Sequence, residues 1–501
     1  MPPARKEILT QTTLQNPNTQ MNTTEPRLPN PIVSAIPIIV LISMIVLMLI
    51  LLPKDALAGA SQMSLIIASA VCVGISIICY KTPWKVFEDS MIKTVGDASV
   101  SIFILLLIGM MSSTWMISGV VPTLIYYGVQ IMSPMFFLPC ACIISSIISV
   151  MTGTSWTTIA TIGIALLGIG NALGVPVPYT AGAIISGAYF GDKLSPMSDT
   201  TVLASSIAGA NLFTHIRYML YTTVPSILIA LVLYLIIGLW YSGESVDTPQ
   251  YVSSLGSTFN ISWLTMIVPA FTGVLIYKKV PALITLFLSS LAAGICACLL
   301  QPDVLMAIVG TQEADLSTLF KGVMQTCYTS TALDTGNDAI NHLVSTRGMT
   351  GMLETVWLII CALCFGACMV ASNMLKGLTR VLLKTIQSTR SLVASTVTSG
   401  VLLNLVMGDQ FLSIIMNASI YKEEYAHRGY KPELLSRSTE DSATVTSVLV
   451  PWTACGMTQS TVLGVPTLVY LPFCFFNIIS PLMSIAVAAL GFVPTPQPQQ
   501  K

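Results

Sequence analysis

Several carboxylates sit where a chain this apolar has no need of them for solubility. Asp199, Asp409, Glu440 and Asp441 fall within or beside interruptions of apolar runs. Each has a hydroxyl or a glycine next to it: Thr200 after Asp199, Gly408 before Asp409, Thr439 before Glu440, Ser442 after Asp441. Asp192 precedes the first interruption beside Lys193, and Glu354 opens another apolar run. A carboxylate at bilayer depth costs roughly 2.5–3.5 kcal/mol on insertion scales, so it is kept for a function or a partner. Away from water the neutral form is favoured, and beside a cation the ionised form is favoured. One such group can hold either a proton or a small cation, and competition between them suffices for exchange. The hydroxyls of Thr154, Ser155 and Ser442 add hard oxygen ligands. Asp192 has a simpler reading as the ion-pair partner of Lys193, and Glu354 as a charge favoured at a helix N-terminus. Asp334 and Asp338 read as loop acids, and His215 as an interfacial side chain.

The elements that must position these groups follow from composition. Of 501 residues, 54% are hydrophobic and 9% charged, against about 25% charged in a soluble domain. Cytosolic enzymes, disordered chains and coiled coils are excluded. Lys+Arg and Asp+Glu are 22 each, which leaves no basic excess for nucleic acid. Apolar runs recur from residues 32–52 to 466–491, the last read as broken at Pro481. They amount to about 11–13 membrane elements, including short and re-entrant ones. Backbone groups in lipid must pair within their own segment, so the fold class is an all-α polytopic membrane protein. Cys361 and Cys364 read as small packing residues, because no histidine or second pair accompanies them.

Residues 1–31 read as a disordered polar tail, 32–241 as a first transmembrane half, 242–260 as a linker, 261–492 as a second half and 493–501 as a polar tail. Basic loops (Lys81, Lys85 and Lys93; Lys278 and Lys279; Lys376 to Arg390; Lys422 to Arg437) place those loops and the N-terminus in the cytoplasm. Their charges are read as setting topology.

The halves echo one another. Val150-Met151 and Gly153 match Val406-Met407 and Gly408, and Leu194-Ser195 with Asp199-Thr200 match Leu435-Ser436 with Asp441-Ser442, each after a one-residue gap. Glycine, serine and threonine free backbone groups that only protein or a wet cavity can satisfy. Paired interruptions in two halves point to a secondary-transporter site.

These segments carry a family resemblance. G-A-Y-F-G-D-K-L-S-P-M-S-D-T-T-V-L-A-S, residues 187–205, resembles the hallmark of the NhaC family of sodium/proton antiporters. Residues 153–158, 347–357 and 440–456 are similar to further family segments. The resemblance covers most of the chain after residue 35. It implies two inverted repeats with re-entrant hairpins and broken helices, and it makes the small cation sodium. Asp199, Asp441 and Asp409 become the candidate sodium ligands, with Glu440, Thr154, Ser155, Ser442, Asp192 and Glu354 around them. One departure is Ala367-Cys368-Met369-Val370, where the family is associated with a glycine and a nearby acid.

The function expected is Na+/H+ antiport in a plasma membrane. The alternative is a sodium- or proton-coupled exchanger of the malate–lactate type, or an amino-acid carrier. The expected partners are Na+, H+, the lipid bilayer, a small organic anion or amino acid under the alternative, and a second copy of the chain as a homodimer. No cofactor, catalytic set or nucleic-acid partner is expected.

Overall fold

The computed structural model describes residues 28–51, 59–240, 248–334, 341 and 344–491. Most of both terminal tails, the start of the linker, Asp338 and His342 lie outside the described residues. In the first half the helices are α1 (Pro31–Leu51), α2 (Ser61–Tyr80), α3 (Trp84–Asp97), α4 (Ser99–Ile117), α5 (Val120–Ile131), α6 (Pro134–Thr152), α7 (Ser155–Ala172, with a π turn at Ile159–Gly163), α8 (Val177–Leu194), α9 (Asp199–Ala208) and α10 (Leu212–Trp240). There follow α11 (Thr248–Thr258), α12 (Ile267–Tyr277), α13 (Ala282–Leu300), α14 (Pro302–Val309), α15 (Leu316–Tyr328), α16 (Leu353–Ala371), α17 (Met374–Lys384) and α18 (Thr389–Met407). The chain ends through α19 (Gln410–His427), α20 (Pro432–Thr439) continuing into a π turn at Glu440–Thr444, α21 (Ala454–Leu463), α22 (Thr467–Tyr470) and α23 (Phe475–Ala489).

The protein is an all-α polytopic membrane protein. Among the described residues nine helices are long and apolar enough to cross a membrane, or eleven if two bent helix pairs each count as one span. One bent pair lies partly in the segment read as a linker: α11 turns by 84° into the stretch Trp263–Tyr277. The other corrects the sequence expectation at the C-terminal end. The chain bends by 56° at Cys474, and Pro481 lies inside α23. Pro481 is the seventh residue of α23, where it forgoes one intrahelical bond while the helix runs on to Ala489.

Apolar side chains face outward on the perimeter helices, such as Ile66 and Ile78 on α2 and Leu228, Val232 and Ile236 on α10. Lipid rather than water is the solvent these faces suit. The interior is built on small residues. On α6 and α8, a Cβ on Gly191 would stand 2.3 Å from the Ser146 carbonyl oxygen, and the Ser149 hydroxyl donates to the Ala188 carbonyl at 2.6 Å. Such close approach is how helices associate where apolar burial offers little. The halves interlock: α16 packs on α2 and α3, and α23 packs on α10.

Candidate functional site

The two interruptions have one geometry. α6 ends at Gly153 (φ 70°), followed by extended Thr154 and then α7. α18 ends at Gly408 (φ 66°), followed by extended Asp409 and then α19. The left-handed glycine is what a chain needs to leave one helix and start another at once. Each glycine abuts a second break in its own half. A Cβ on Gly153 would stand 2.8 Å from the Met197 carbonyl carbon, and the Gly408 carbonyl accepts from the Ala454 N–H at 2.8 Å. Those second breaks also match, since Pro196 and Pro451 each stand two residues before a hydroxyl cap, Ser198 on α9 and Thr453 on α21.

This superposition revises the echo read from sequence. Six residues before its cap, the first half has Asp192 and the second has Ser447. Two residues after its glycine, the first half has Ser155 and the second has Gln410. The pairs bond alike. Asp192 accepts from the Ser155 N–H (3.1 Å), the Ser155 hydroxyl (2.8 Å) and the Ser198 hydroxyl (2.6 Å). The Ser447 hydroxyl donates to Gln410 Oε1 at 3.0 Å. Asp199 and Asp441 are therefore not counterparts. Asp199 is the first residue of α9, after its break, whereas Asp441 lies within the π turn, twelve residues before the Thr453 cap.

The breaks border a cavity of about 820 Å³ that gathers Asp192, Asp199 and Asp409 with Thr154 and Ser155. Asp192 and Asp409 are buried, Asp199 is exposed to the cavity, and Asp409 caps α19 by accepting from the Leu412 N–H at 2.9 Å. Asp97 at the end of α3 and Lys279 after α12 also line it. Sequence reasoning missed both, since only packing brings those helices to the breaks.

Asp441, Glu440, Ser442 and Glu354 lie outside that cavity lining. Glu354 is exposed in the first turn of α16. Ser442 donates to the Ser438 carbonyl at 2.7 Å. A Cβ on Gly400 of α18 would stand 2.3 Å from the Ser442 hydroxyl, so this side chain sits in a tight helix contact. Asp441 is fully buried in an ion pair with Lys193, itself fully buried. The same Asp441 oxygen accepts from Thr222 (3.0 Å) and Ser480 (3.2 Å). Arg437, one turn back, is 3.7 Å from the other oxygen and lies over the Tyr218 ring at 4.6 Å.

Three expectations are corrected here. Lys193 does not pair with its neighbour Asp192: consecutive residues at the end of a helix point to different sides, and Lys193 reaches Asp441 in the other half. Arg437, counted among charges that set topology, is wholly buried. Its spacing of four from Asp441 was the available signal, because residues i and i+4 share a helix face. His215, expected at the interface, is also buried, with Nδ1 2.7 Å from the Ser436 hydroxyl.

Comparison with known proteins bears on the same residues. The sequence profile of the Na+/H+ antiporter family matches residues 187–492. The chain belongs to the Na+/H+ antiporter family. It is 36% identical over 409 residues to the Na+/H+ antiporter NhaC of Alkalihalophilus pseudofirmus, covering 81% of this chain and 86% of that one. It is 35% identical over 413 residues to the malate-2H+/Na+-lactate antiporter of Bacillus subtilis (81% and 85%). It is 31% identical over 462 residues to the arginine/ornithine antiporter ArcD of Halobacterium salinarum (91% of each). The profile match begins at Gly187, so it takes in Asp192, Lys193, Asp199, Asp409 and the Glu440–Asp441 turn. It leaves the Gly153 break outside.

Proposed function

We propose that the chain is a secondary active Na+/H+ antiporter of a plasma membrane, holding sodium in the cavity between the two helix breaks. The observation that carries this reading is the convergence of Asp192, Asp409 and Asp199 with the Thr154 and Ser155 hydroxyls on one space. Carboxylate and hydroxyl oxygens suit a hard cation. Asp192 lines the cavity with three of the roughly four hydrogen bonds a carboxylate can accept already made, and Asp409 lines it from the opposite half. Asp441 is left out of the sodium site because Lys193 already supplies its cation.

A second reading is an organic substrate, and the cavity's size favours it. About 820 Å³ is within the range of small-molecule sites and far exceeds one sodium ion. Four lining carboxylates against Lys279 make that space suited to an organic cation rather than a dicarboxylate.

The test is purified protein in proteoliposomes, with internal pH followed after a sodium pulse and no organic substrate present. Sodium-dependent proton movement, lost in Asp192→Asn, is the expected result. Proton movement that appears only on adding malate or arginine would replace simple antiport with the exchanger.

A further inference from the structure

Beside the cavity lies a closed network that the sodium site does not use. Glu440 is fully buried, and neither of its carboxylate oxygens has a hydrogen-bond partner among the described residues. The Thr444 hydroxyl, four residues on in the same π turn, is likewise without a partner. Glu440 stands next to Asp441 on its own turn, and Asp441 pairs with Lys193, the neighbour of Asp192 at the end of α8. Of the helices packed on the turn, α20 carries Glu433 and Arg437, and α9 opens with Asp199. α19 brings Tyr421 and Tyr425, bonded to Ser395 and Thr396, and turns Lys422 and Glu423 outward. α18 carries only Arg390, at its far first turn, and α23 has no titratable side chain. His215 stands near Lys193 and Asp441 from α10.

We propose that the two ions are held at different places, sodium at Asp192 in the cavity and the exchanged proton on Glu440, with Lys193 between them transmitting the presence of one to the other. The inference rests on the antiport reading above and adds where the proton resides.

The charges balance in a region closed to bulk solvent. A carboxylate shut off from bulk solvent and without a protein donor is stable with its proton on. With Glu440 neutral, Lys193 and Arg437 face Asp441 alone, and the surplus positive charge is balanced by Asp192, the residue next to Lys193. Sodium arriving at Asp192 cancels that balance. Charges this close and this buried interact strongly, and the network regains neutrality when Glu440 gives up its proton. One cation enters, one leaves, and the net charge is the same before and after. Lys193 touches neither ion, so it is a positioning residue.

The experiment uses the full chain in proteoliposomes and three readouts: sodium-driven proton flux, sodium–sodium exchange with labelled sodium at fixed pH, and the pH dependence of apparent sodium affinity. If the wild type shows no sodium–proton exchange, the antiport reading itself fails. Given wild-type exchange, Glu440→Gln, which copies the protonated shape, is expected to abolish proton flux and keep sodium–sodium exchange. Its sodium affinity should change less than about twofold over a pH range in which the wild type shifts by up to about tenfold per unit, the limit for reciprocal one-to-one coupling. Proton flux and pH dependence that survive in Glu440→Gln overturn the proposal. So does loss of sodium–sodium exchange, which would place Glu440 in the sodium site. A second measurement needs no variant at Glu440: carbodiimide labels protonated buried carboxyls, and mass spectrometry locates the label. Sodium should protect Glu440 in the wild type by removing its proton and should not protect it in Asp192→Asn. Labelling indifferent to sodium in both proteins overturns the proposal.

Discussion

The two helix breaks share a backbone and exchange their chemistry. In the first half the residue after the glycine is Thr154 and the carboxylate lies on the second arm, at Asp192. In the second half the carboxylate follows the glycine, as Asp409, and the second arm offers Ser447. Each half therefore contributes one acid and one hydroxyl at these matched positions, on opposite arms. The difference teaches that the repeat supplies geometry, namely a left-handed glycine packed on a capped break, while side-chain identity at equivalent positions decides the charge. Beyond that pairing the halves diverge. Lys193 has its counterpart in Val448, and Asp441 has its counterpart in Ser186, which bonds the Tyr234 hydroxyl at 2.7 Å.

The sharpest way to break the comparison is to neutralise each acid in turn. Asp192→Asn leaves sodium without its buried counter-charge, and breaking a buried ion pair costs about 3–5 kcal/mol. At about 1.4 kcal/mol per decade this predicts at least roughly a hundredfold loss of apparent sodium affinity, read as sodium-dependent flux. Asp409→Asn should fall short of that, because an asparagine still caps α19. Equal losses would mean that the halves share the load evenly. The exchange variant Asp192→Ser with Ser447→Asp moves both acids into the second half. It should remain inactive, and recovered flux would show that total charge matters and position does not.

Next in size is the ion pair that only one end of the repeat possesses. Lys193→Met leaves buried Asp441 with only Arg437, 3.7 Å from its other oxygen; breaking a buried pair typically costs about 3–5 kcal/mol. The expected readout is a large drop in thermal stability in detergent. Lys193→Met combined with Asp441→Leu and Arg437→Met, which removes every charge of the buried cluster, should regain most of it while leaving transport defective. A triple variant no more stable than the single one would remove the ion pairs as the cause.

Smaller effects separate the remaining counterparts. Ser155→Ala removes one hydroxyl oxygen from the cavity lining and should weaken sodium about tenfold, from a range of about 1.5–3 kcal/mol for a bond to a charged group. Gln410→Ala, at the matching position, breaks two neutral bonds, from Ser447 and from the Cys455 thiol, and should cost threefold or so, in keeping with about 0.5–1.5 kcal/mol for a neutral bond. The smallest loss is expected from Asp199→Asn. Loss of an exposed first-turn charge worth about 0.3–1 kcal/mol to the helix should slightly lower thermal stability and reduce sodium-dependent flux less than the other variants do. A complete loss of flux would return Asp199 to the centre of the site.

How much of this could be read without the structure follows from the range over which each signal acts. The spans were legible because a bilayer demands long apolar runs, and the breaks because glycine, serine and threonine crowd into them. Gly153 and Gly408 were correctly matched, since a left-handed turn leaves a local mark. The pairing of Asp199 with Asp441 rested on residue type alone and went astray, because the true match keeps hydrogen-bond geometry and replaces an acid by a hydroxyl. Lys193 was hidden by its neighbour: adjacent opposite charges invite pairing in sequence, while the end of α8 points them apart. Asp97 and Lys279 reach the cavity from helices far along the chain, and no local pattern announces such convergence.

The π turns at Ile159–Gly163 and Glu440–Thr444 have a mechanical consequence. A π turn holds one residue more than an α turn. If it resolves into regular helix, the surplus residue is handed along the chain, and side chains on one flank swing by about 100° around the axis, the angle of one residue in a 3.6-residue turn. Each carbonyl merely changes the amide it faces, so nothing polar is offered to lipid along the way. A membrane helix normally resists unwinding because lipid replaces no lost hydrogen bond. Here the fold holds a slack link next to its buried charges, so Glu440 and Asp441 can be turned as a pair by a register slip inside the helix, with the surrounding bundle standing still.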